Sequence, residues 1–111
     1  MVTRQFDVHL VTLDPTRGSE IRKTRPCVIV SPDEMNEHLR TVIVAPMTTK
    51  RRAYPSRVNT RFDDRDAQVV LDQIRTIDKS RLIRRIGRLS DAARREVANV
   101  LVTMFAPADD V

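Results

Sequence analysis

The sequence has little of what metal and cofactor sites require. It contains one cysteine, two histidines and two glycines. A single cysteine, Cys27, cannot form an internal disulfide and provides no zinc motif. His9 and His38 lie on different predicted elements without the spacing of metal ligands, and two glycines cannot build a phosphate-binding glycine-rich loop. We therefore expect no cofactor and no metal, and we interpret Cys27 as a small core residue.

Aromatic residues and long apolar runs are also scarce. Three phenylalanines, one tyrosine and no tryptophan argue against a sheet of stacked aromatics of the kind found in RNA-recognition motifs. No apolar run approaches the roughly 18 residues of a membrane span, and the N-terminal segment lacks the apolar centre of a secretory signal. We expect a cytoplasmic protein without membrane contact.

Positive charge is abundant. Twenty Lys and Arg residues face fifteen Asp and Glu, which gives a formal net charge of +5 and a sequence pI near 10.3. The basic residues cluster at 17–25 and 50–65 and are mostly arginines, which bind phosphate through two parallel hydrogen bonds. A solvated face is the ordinary explanation of such a run, but the charge of the whole domain favours a polyanionic partner.

The 111 residues predict one domain, 1–111, built of short strands and a C-terminal helix. Strands are expected at 6–13, 27–30, 41–47, 57–61, 67–71 with a continuation to 77, and near Gly87, although 82–89 would also suit a helix. We expect Pro46 to mark the end of the third strand. Ser31 is expected to cap a short helix reaching His38. Ser90 is expected to cap a helix over 91–105, with Val97, Val100, Leu101 and Met104 on its buried face. Strands at this spacing predict a small β-barrel.

Arg25 is the leading candidate for a functional residue. It precedes Pro26, which restricts the backbone of both residues, and the apolar run 27–30 that predicts a strand buried on both faces. Hydroxyl, amide and charged groups follow at other predicted strand ends: Ser19, Glu20, Thr48, Asp72, Gln73 and Arg75. Such a set can bind a phosphodiester under attack. Alternatively, Arg25 pairs with Glu20 and Thr48 is a turn hydroxyl; His9 and His38 as an acid and base for RNA cleavage are a weaker alternative.

Four segments carry a family resemblance in order and at similar spacing. They are Asp14-Pro15-Thr16-Arg17-Gly18-Ser19-Glu20, Arg25-Pro26 followed by Val28-Ile29-Val30-Ser31, Ala45-Pro46-Met47-Thr48-Thr49, and Asp72-Gln73-Ile74-Arg75-Thr76-Ile77-Asp78. At these segments the chain resembles the MazF/PemK-like toxins of bacterial type II toxin-antitoxin modules. The resemblance extends over nearly the whole chain.

The resemblance implies a mainly β fold with α, an SH3-like β-barrel of the CcdB/MazF type with a C-terminal helix packed on it. It also implies a homodimer and a metal-independent endoribonuclease that cuts single-stranded RNA at short sequences and so inhibits translation and growth. By the same resemblance Arg25 matches the catalytic arginine, Thr48 matches the catalytic threonine, and Asp72 matches a carboxylate with a role in some members. The implied partner is a cognate acidic antitoxin, MazE-like, whose tail would occupy the basic groove and exclude RNA.

Further residues are expected to contact or position the substrate. Asp72, Ser19 and Glu20 are expected either to take part in catalysis or to position the substrate. The residues expected to bind RNA are Arg17, Arg22, Lys23, Thr49, Lys50, Arg51, Arg52, Arg57, Gln73 and Arg75. Two alternatives remain: a CcdB-like gyrase poison, against which the C-terminal sequence without aromatics argues, and a non-catalytic SH3-like module that binds RNA or a protein partner.

Overall fold

The computed structural model describes residues 2–109, which form seven strands, two α-helices and two short 3₁₀ turns. The strands are β1 (Asp7–Thr12), β2 (Thr24–Ile29), β3 (Thr41–Thr48), β4 (Arg57–Phe62), β5 (Arg65–Val70), β6 (Arg75–Asp78) and β7 (Leu82–Arg88). The helices are α1 (Asp33–His38) and α2 (Asp91–Phe105), and the 3₁₀ turns are Leu71–Gln73 and Lys79–Arg81. The segment near Gly87 is thus a strand, as expected, and a 3₁₀ turn interrupts the strand predicted to continue to residue 77.

β3 is the strand on which the antiparallel sheet is assembled. The strand order is β4-β5-β3-β2-β1-β7, and β6 also pairs with β3. On one side β3 pairs with β2; on the other it pairs with β6 up to Val44 and with β5 from Met47 onward. Pro46 lies between these last two segments, so its missing N–H removes no ladder bond there. The strand predicted at 41–47 is confirmed and extends one residue further, to Thr48, and Pro46 lies where β3 changes its partner from β6 to β5.

The sheet curls until its two edge strands come together. β4 and β7 lie at opposite ends of the strand order, yet the Phe62 ring on β4 rests against Gly87 on β7. A Cβ at Gly87 would lie only 2.8 Å from the ring atoms of Phe62, so a side chain at position 87 would displace the ring. The predicted small barrel with a C-terminal helix is confirmed in the form of this curled sheet.

The core lies on both faces of β2. Cys27 and Ile29 belong to one apolar cluster with Val42 and Val44, whereas Val28 belongs to the cluster that packs under α2. This confirms the prediction that the run 27–30 is buried on both faces. Cys27 is fully buried, and burial raises the pKa of its thiol to about 12, so it is an unreactive core residue.

The two helices match the sequence predictions in part. Ser90 caps α2, since its hydroxyl accepts a hydrogen bond from the Ala93 N–H at 3.2 Å. Ser31 does not cap α1; Pro32 occupies that position, and the Ser31 hydroxyl instead accepts from the Ile43 N–H at 3.0 Å and donates to Asn36.

The predicted buried face of α2 is confirmed as far as Leu101, because Val100 and Leu101 pack, partly buried, against the same core cluster as Val97. Val97 is fully buried, whereas Met104 in the last turn is 36% exposed. Neither helix in the described part of the chain is long and apolar enough to cross a membrane.

Candidate active site

Arg25 and Thr48 line the same cavity. The pairing of Cys27 with Pro46 in β2 and β3, continued by two residues, brings Arg25 opposite Thr48 across the two strands. Both side chains face a cavity of about 230 Å³, here called the Arg25 cavity. Its other lining residues are Pro26, Met47, Thr49, Phe62, Asp63, Arg65, Ala67 and Ile86.

The Arg25 guanidinium is positioned but not neutralised. Its Nε donates to the Arg22 carbonyl oxygen at 3.1 Å, and Pro26 restricts the backbone next to it. Within residues 2–109 no carboxylate lies within ion-pair distance of Arg25. The alternative of a pair with Glu20 is wrong, since a Glu20 carboxylate oxygen instead accepts from the Arg17 backbone N–H at 2.7 Å.

Thr48 combines a turn role with a free hydroxyl hydrogen. Its Oγ1 accepts from the Lys50 backbone N–H at 3.1 Å, which fixes the start of the loop after β3. Accepting that bond leaves the hydroxyl hydrogen able to donate to a ligand. Two hydrogen-bond donors, a guanidinium and a hydroxyl, therefore meet in one half-buried cavity.

A second group of predicted site residues lies in a different pocket. Glu20, Asp72, Gln73 and Arg75 line it together with Leu13, Ile21, Pro46 and Ile74, and it also measures about 230 Å³. We call it the loop pocket because its polar groups hold the loop between β1 and β2. Gln73 Oε1 accepts from the Ile21 N–H at 2.7 Å, and the Arg75 guanidinium donates to the Leu13 carbonyl oxygen at 3.1 Å.

Asp72 is engaged in a charged network with Arg57. Its carboxylate accepts from the Arg57 guanidinium at 3.2 and 3.3 Å and from the Ser56 hydroxyl at 2.9 Å. Partial burial opposes ionisation of Asp72, but the hydrogen bonds from Arg57 and Ser56 outweigh it and lower the pKa of the carboxyl. The Arg57 side chain is only 11% exposed and its guanidinium lies 5.0 Å from the centre of the Tyr54 ring. The guanidinium of Arg57, one of the residues expected to bind RNA, is therefore already paired within the protein.

The remaining basic residues lie in exposed loops. Arg17, Ser19, Arg22 and Lys23 are exposed between β1 and β2. Lys50, Arg51 and Arg52 are exposed after β3, where the buried Gln68 holds the Arg52 backbone through both its N–H at 2.9 Å and its carbonyl oxygen at 2.8 Å. The exposed charges therefore sit on loops with anchored backbones.

Sequence reasoning missed the part of the Arg25 cavity that the β4–β5 hairpin provides. Asp63 and Asp64 form the hairpin turn, both with positive φ, 53° and 57°, as a two-residue turn of the I′ type requires. Two adjacent aspartates are typical of a turn, but no local pattern in the sequence indicates that this turn reaches Arg25. That placement follows from the curl of the sheet and the contact of Phe62 with Gly87.

A model of the family described as PemK-like, MazF-like toxin of type II toxin-antitoxin system matches residues 4–105. The chain belongs to this family. The Endoribonuclease MazF of Staphylococcus saprophyticus is 38% identical over 104 residues, which cover 88% of this chain and 87% of that protein.

Solved structures of MazF toxins share the fold. A crystal structure of MazF from Deinococcus radiodurans has a TM-score of 0.82 at 22% identity and covers 94% of this chain and 96% of its own. The Mycobacterium tuberculosis toxin MazF-mt6 has a TM-score of 0.74 at 27% identity, with 89% and 95% covered. An endoribonuclease from a mycobacterial species, solved in complex with its cognate antitoxin, has a TM-score of 0.80 at 25% identity, with 96% and 98% covered.

In this MazF-like chain, Arg25 and Thr48 supply the Arg25 cavity with two hydrogen-bond donors. Within residues 2–109 no cluster of three or more His, Cys, Asp or Glu side chains could hold a metal ion. His9, one half of the acid–base pair considered above, is fully buried on β1 and not in the cavity. The site can bind and stabilise an anionic group, and Arg25 and Thr48 are the residues placed to do so.

Proposed function

We propose that this toxin is an endoribonuclease that cuts single-stranded RNA at short sequences without a metal ion. The 2′-hydroxyl oxygen of the substrate attacks the neighbouring phosphorus, forms a new O–P bond and displaces the 5′-oxygen. Solvent water accepts the hydroxyl proton and supplies a proton to the leaving 5′-oxygen, so the products are a 2′,3′-cyclic phosphate and a 5′-hydroxyl. The observation that carries this proposal is the meeting of Arg25 and Thr48 in one cavity.

In this reaction Arg25 and Thr48 act on the phosphoryl oxygens. The guanidinium binds the phosphate and stabilises the charge that gathers on its oxygens, and the Thr48 hydroxyl donates a further hydrogen bond. Holding the 2′-oxygen in line with the leaving group supplies the other part of the acceleration. A guanidinium keeps its proton near neutral pH, so Arg25 is a charge clamp and not a base.

The exposed basic loops hold the RNA on either side of the cavity. Arg17, Arg22 and Lys23 on one loop and Lys50, Arg51 and Arg52 on the other carry charges that phosphates would neutralise, while Thr49 lines the cavity itself. Binding through such contacts weakens steeply as salt rises. Glu20 holds the first loop through the Arg17 N–H, and Gln73 and Arg75 hold it through the Ile21 N–H and the Leu13 carbonyl oxygen. Asp72 and Arg57 pair with each other, and Ser19 is exposed on the first loop.

The test uses purified protein, a long RNA and excess EDTA. The wild-type protein cuts the RNA, and Arg25→Ala cuts it about 10²- to 10³-fold more slowly, as expected on loss of one donor to the transition state. Arg95→Ala, which removes an exposed arginine on α2, is the control for charge and cuts normally. Mass spectrometry identifies the cyclic phosphate. Intact RNA with the wild-type protein, or equal cutting by Arg25→Ala, contradicts the proposal and leaves the non-catalytic module or the gyrase poison.

The same proposal includes the partners and location of the toxin. An acidic antitoxin is expected to bind the basic loops, which is supported by the net charge of +5 and by the mycobacterial relative in complex with its cognate antitoxin. A homodimer in the cytoplasm completes the proposal. Co-expression with an acidic antitoxin of the MazE type, followed by purification and light scattering, tests both assemblies.

A further inference from the structure

The Arg25 cavity is larger and less polar than a phosphate site requires. Arg25 and Thr48 provide the donors for a phosphate, but Phe62 and Ile86 also line the cavity, from β4 and β7. Its volume of about 230 Å³ is below the roughly 300–1,000 Å³ of pockets that enclose drug-sized ligands. The space therefore suits one additional flat group with apolar faces, and in RNA that group is a single nucleobase.

Phe62 offers such a base a fixed platform. Its ring is held against Gly87, where even a methyl group would lie 2.8 Å from the ring carbons. Aromatic rings with fixed positions are the usual partners of unstacked bases in single-stranded RNA. One ring serves one base, so the scarcity of aromatics in the sequence does not exclude this use.

Asp63 places a carboxylate in the cavity, and a carboxylate does not favour phosphate binding. Its carboxylate repels phosphate oxygens and can only accept hydrogen bonds. Within the part of the chain that the structure describes, neither Asp63 nor Arg65 has a side-chain hydrogen bond or an ion pair, whereas the nearby Asp66 is paired with Arg61 at 3.2 Å. An acceptor and a donor are thus both available to a ligand in the cavity.

Guanine fits this pair best. Its Watson–Crick edge carries two adjacent donors, N1–H and N2–H, which match the two oxygens of one carboxylate. Its O6 and N7 are acceptors suited to an arginine. Adenine and cytosine offer a carboxylate only an amino group, and uracil only one ring N–H. We propose that the β4–β5 hairpin reads a guanine beside the cleaved bond, with the base on Phe62, its donors on Asp63 and its acceptors on Arg65.

This inference rests on the proposed nuclease function and is tested by comparing Asp63→Asn with Asp64→Asn. Both residues form the hairpin turn with positive φ, which asparagine tolerates, and both changes remove one negative charge. Only Asp63 lines the cavity. The cut sites of each protein are mapped by sequencing the ends produced from a long RNA of mixed sequence.

The wild-type protein and Asp64→Asn are expected to cut where guanine occupies one fixed position beside the cleaved bond. Asp63→Asn is expected to lose that preference by roughly 5- to 150-fold, the discrimination of one bidentate base contact, and to cut at sites with other bases. A wild-type profile without guanine, or the same profile for wild type and Asp63→Asn, overturns the base-reading proposal while the nuclease function stands. Absence of any cutting by the wild type defeats the nuclease function and the inference together.

Discussion

The Arg25 cavity and the loop pocket have almost the same volume and use the same kinds of side chain, yet their polar groups differ in what they already bind. In the loop pocket, Gln73 and Arg75 are hydrogen-bonded to the backbone of the β1–β2 loop. In the Arg25 cavity, the guanidinium makes one bond to a carbonyl oxygen and, within residues 2–109, has no carboxylate partner. Residue type alone therefore does not distinguish a ligand site from a structural one. The two differ in whether the polar side chains are already hydrogen-bonded within the protein.

Arg25 and Arg57 show the same difference between two individual arginines. Arg57 is held by two bonds to Asp72 and by the Tyr54 ring, so its charge is already matched. Arg25 keeps most of its donors for a ligand. Substitution of Arg25 should therefore affect activity, and substitution of Arg57 should affect stability.

After Arg25→Ala, the largest loss of RNA cleavage is expected for Thr48→Val. Valine keeps the shape of threonine but cannot donate a hydrogen bond, so RNA cleavage should fall about 100-fold or more. Thr48→Ser keeps the hydroxyl and should retain most of the rate. The cleavage rates of the wild-type protein and both variants test this expectation. Thermal unfolding checks that the three proteins are equally stable. A loss of cleavage in Thr48→Ser with normal cleavage by Thr48→Val would show that the methyl group, and not the hydroxyl, is what matters.

Arg57→Ala should cut RNA at a rate within a few-fold of the wild-type rate, but its free energy of unfolding should be lower. A forked, charge-assisted pair of this kind stabilises the folded state by about 1–2 kcal/mol. The loss in Arg57→Ala should lie at the lower end of that range, because the Asp72 side chain is 35% exposed and water screens the pair. Urea unfolding of wild type, Arg57→Ala, Asp72→Asn and the double variant measures the coupling. A large loss of cleavage without loss of stability would place Arg57 among the RNA contacts instead.

The Asp72 pair also has a defined dependence on pH. The pKa of Asp72 is lowered in the folded state, so the folded state binds its proton less well than the unfolded chain. Its contribution is present above the unfolded pKa of about 3.9 and is lost as the pH falls below that value. The stability difference between wild type and Asp72→Asn should therefore shrink on acidification from pH 6 to pH 3.

His9 is a buried polar residue that does not line the Arg25 cavity. His9 is fully buried, and within residues 2–109 neither of its ring nitrogens has a hydrogen-bond partner. Burial lowers the pKa of His9, Asp7 opposes this and Arg85 adds to it. As the pH falls, His9 is therefore protonated in the unfolded chain before it is protonated in the folded state. The free energy of unfolding should decrease below about pH 6.5, by at most about 1.4 kcal/mol per pH unit.

Urea unfolding at pH 7.5 and 5.5 measures this effect of His9. His9→Leu should remove most of the difference between the two conditions, whereas His38→Gln, at the exposed end of α1, should leave it. RNA cleavage by His9→Leu should remain, since the residue does not line the Arg25 cavity. An unchanged pH dependence in His9→Leu would assign the effect to another group.

The parts of the molecule that the sequence could predict are those set by neighbours along the chain. The apolar run 27–30 indicated a strand buried on both faces, and Ser90 before a periodic segment indicated the start of α2. Arg25 and Thr48 could be brought together because β2 and β3 are joined by only a short helix and pair directly. The register of two adjacent strands carries that information.

The parts that it could not predict depend on contacts between distant residues. The hairpin at Asp63 reaches the Arg25 cavity because Phe62 packs on Gly87, 25 positions later in the chain. Ser31 was expected as a helix cap, but it bonds to β3 and to Asn36. Gln73 and Arg75 bond to the β1–β2 loop across 52 and 62 positions of the chain, so their sequence neighbours do not indicate these contacts. No local pattern carries such information.

The smallest predicted effect distinguishes the two roles open to Gln73. Gln73→Ala removes the acceptor of the Ile21 N–H and should lower the local stability of the β1–β2 loop by about 1 kcal/mol. Hydrogen exchange of residues 17–23 should accelerate, while exchange in β3 stays unchanged. Gln73→Glu keeps an oxygen in place and should restore the protection. Because this loop leads into Arg25, cleavage by Gln73→Ala should fall only a few-fold and recover in Gln73→Glu. A loss of cleavage that glutamate does not restore, with normal loop protection, would mean that the Gln73 amide contacts RNA, and the loop pocket would then be part of the substrate site.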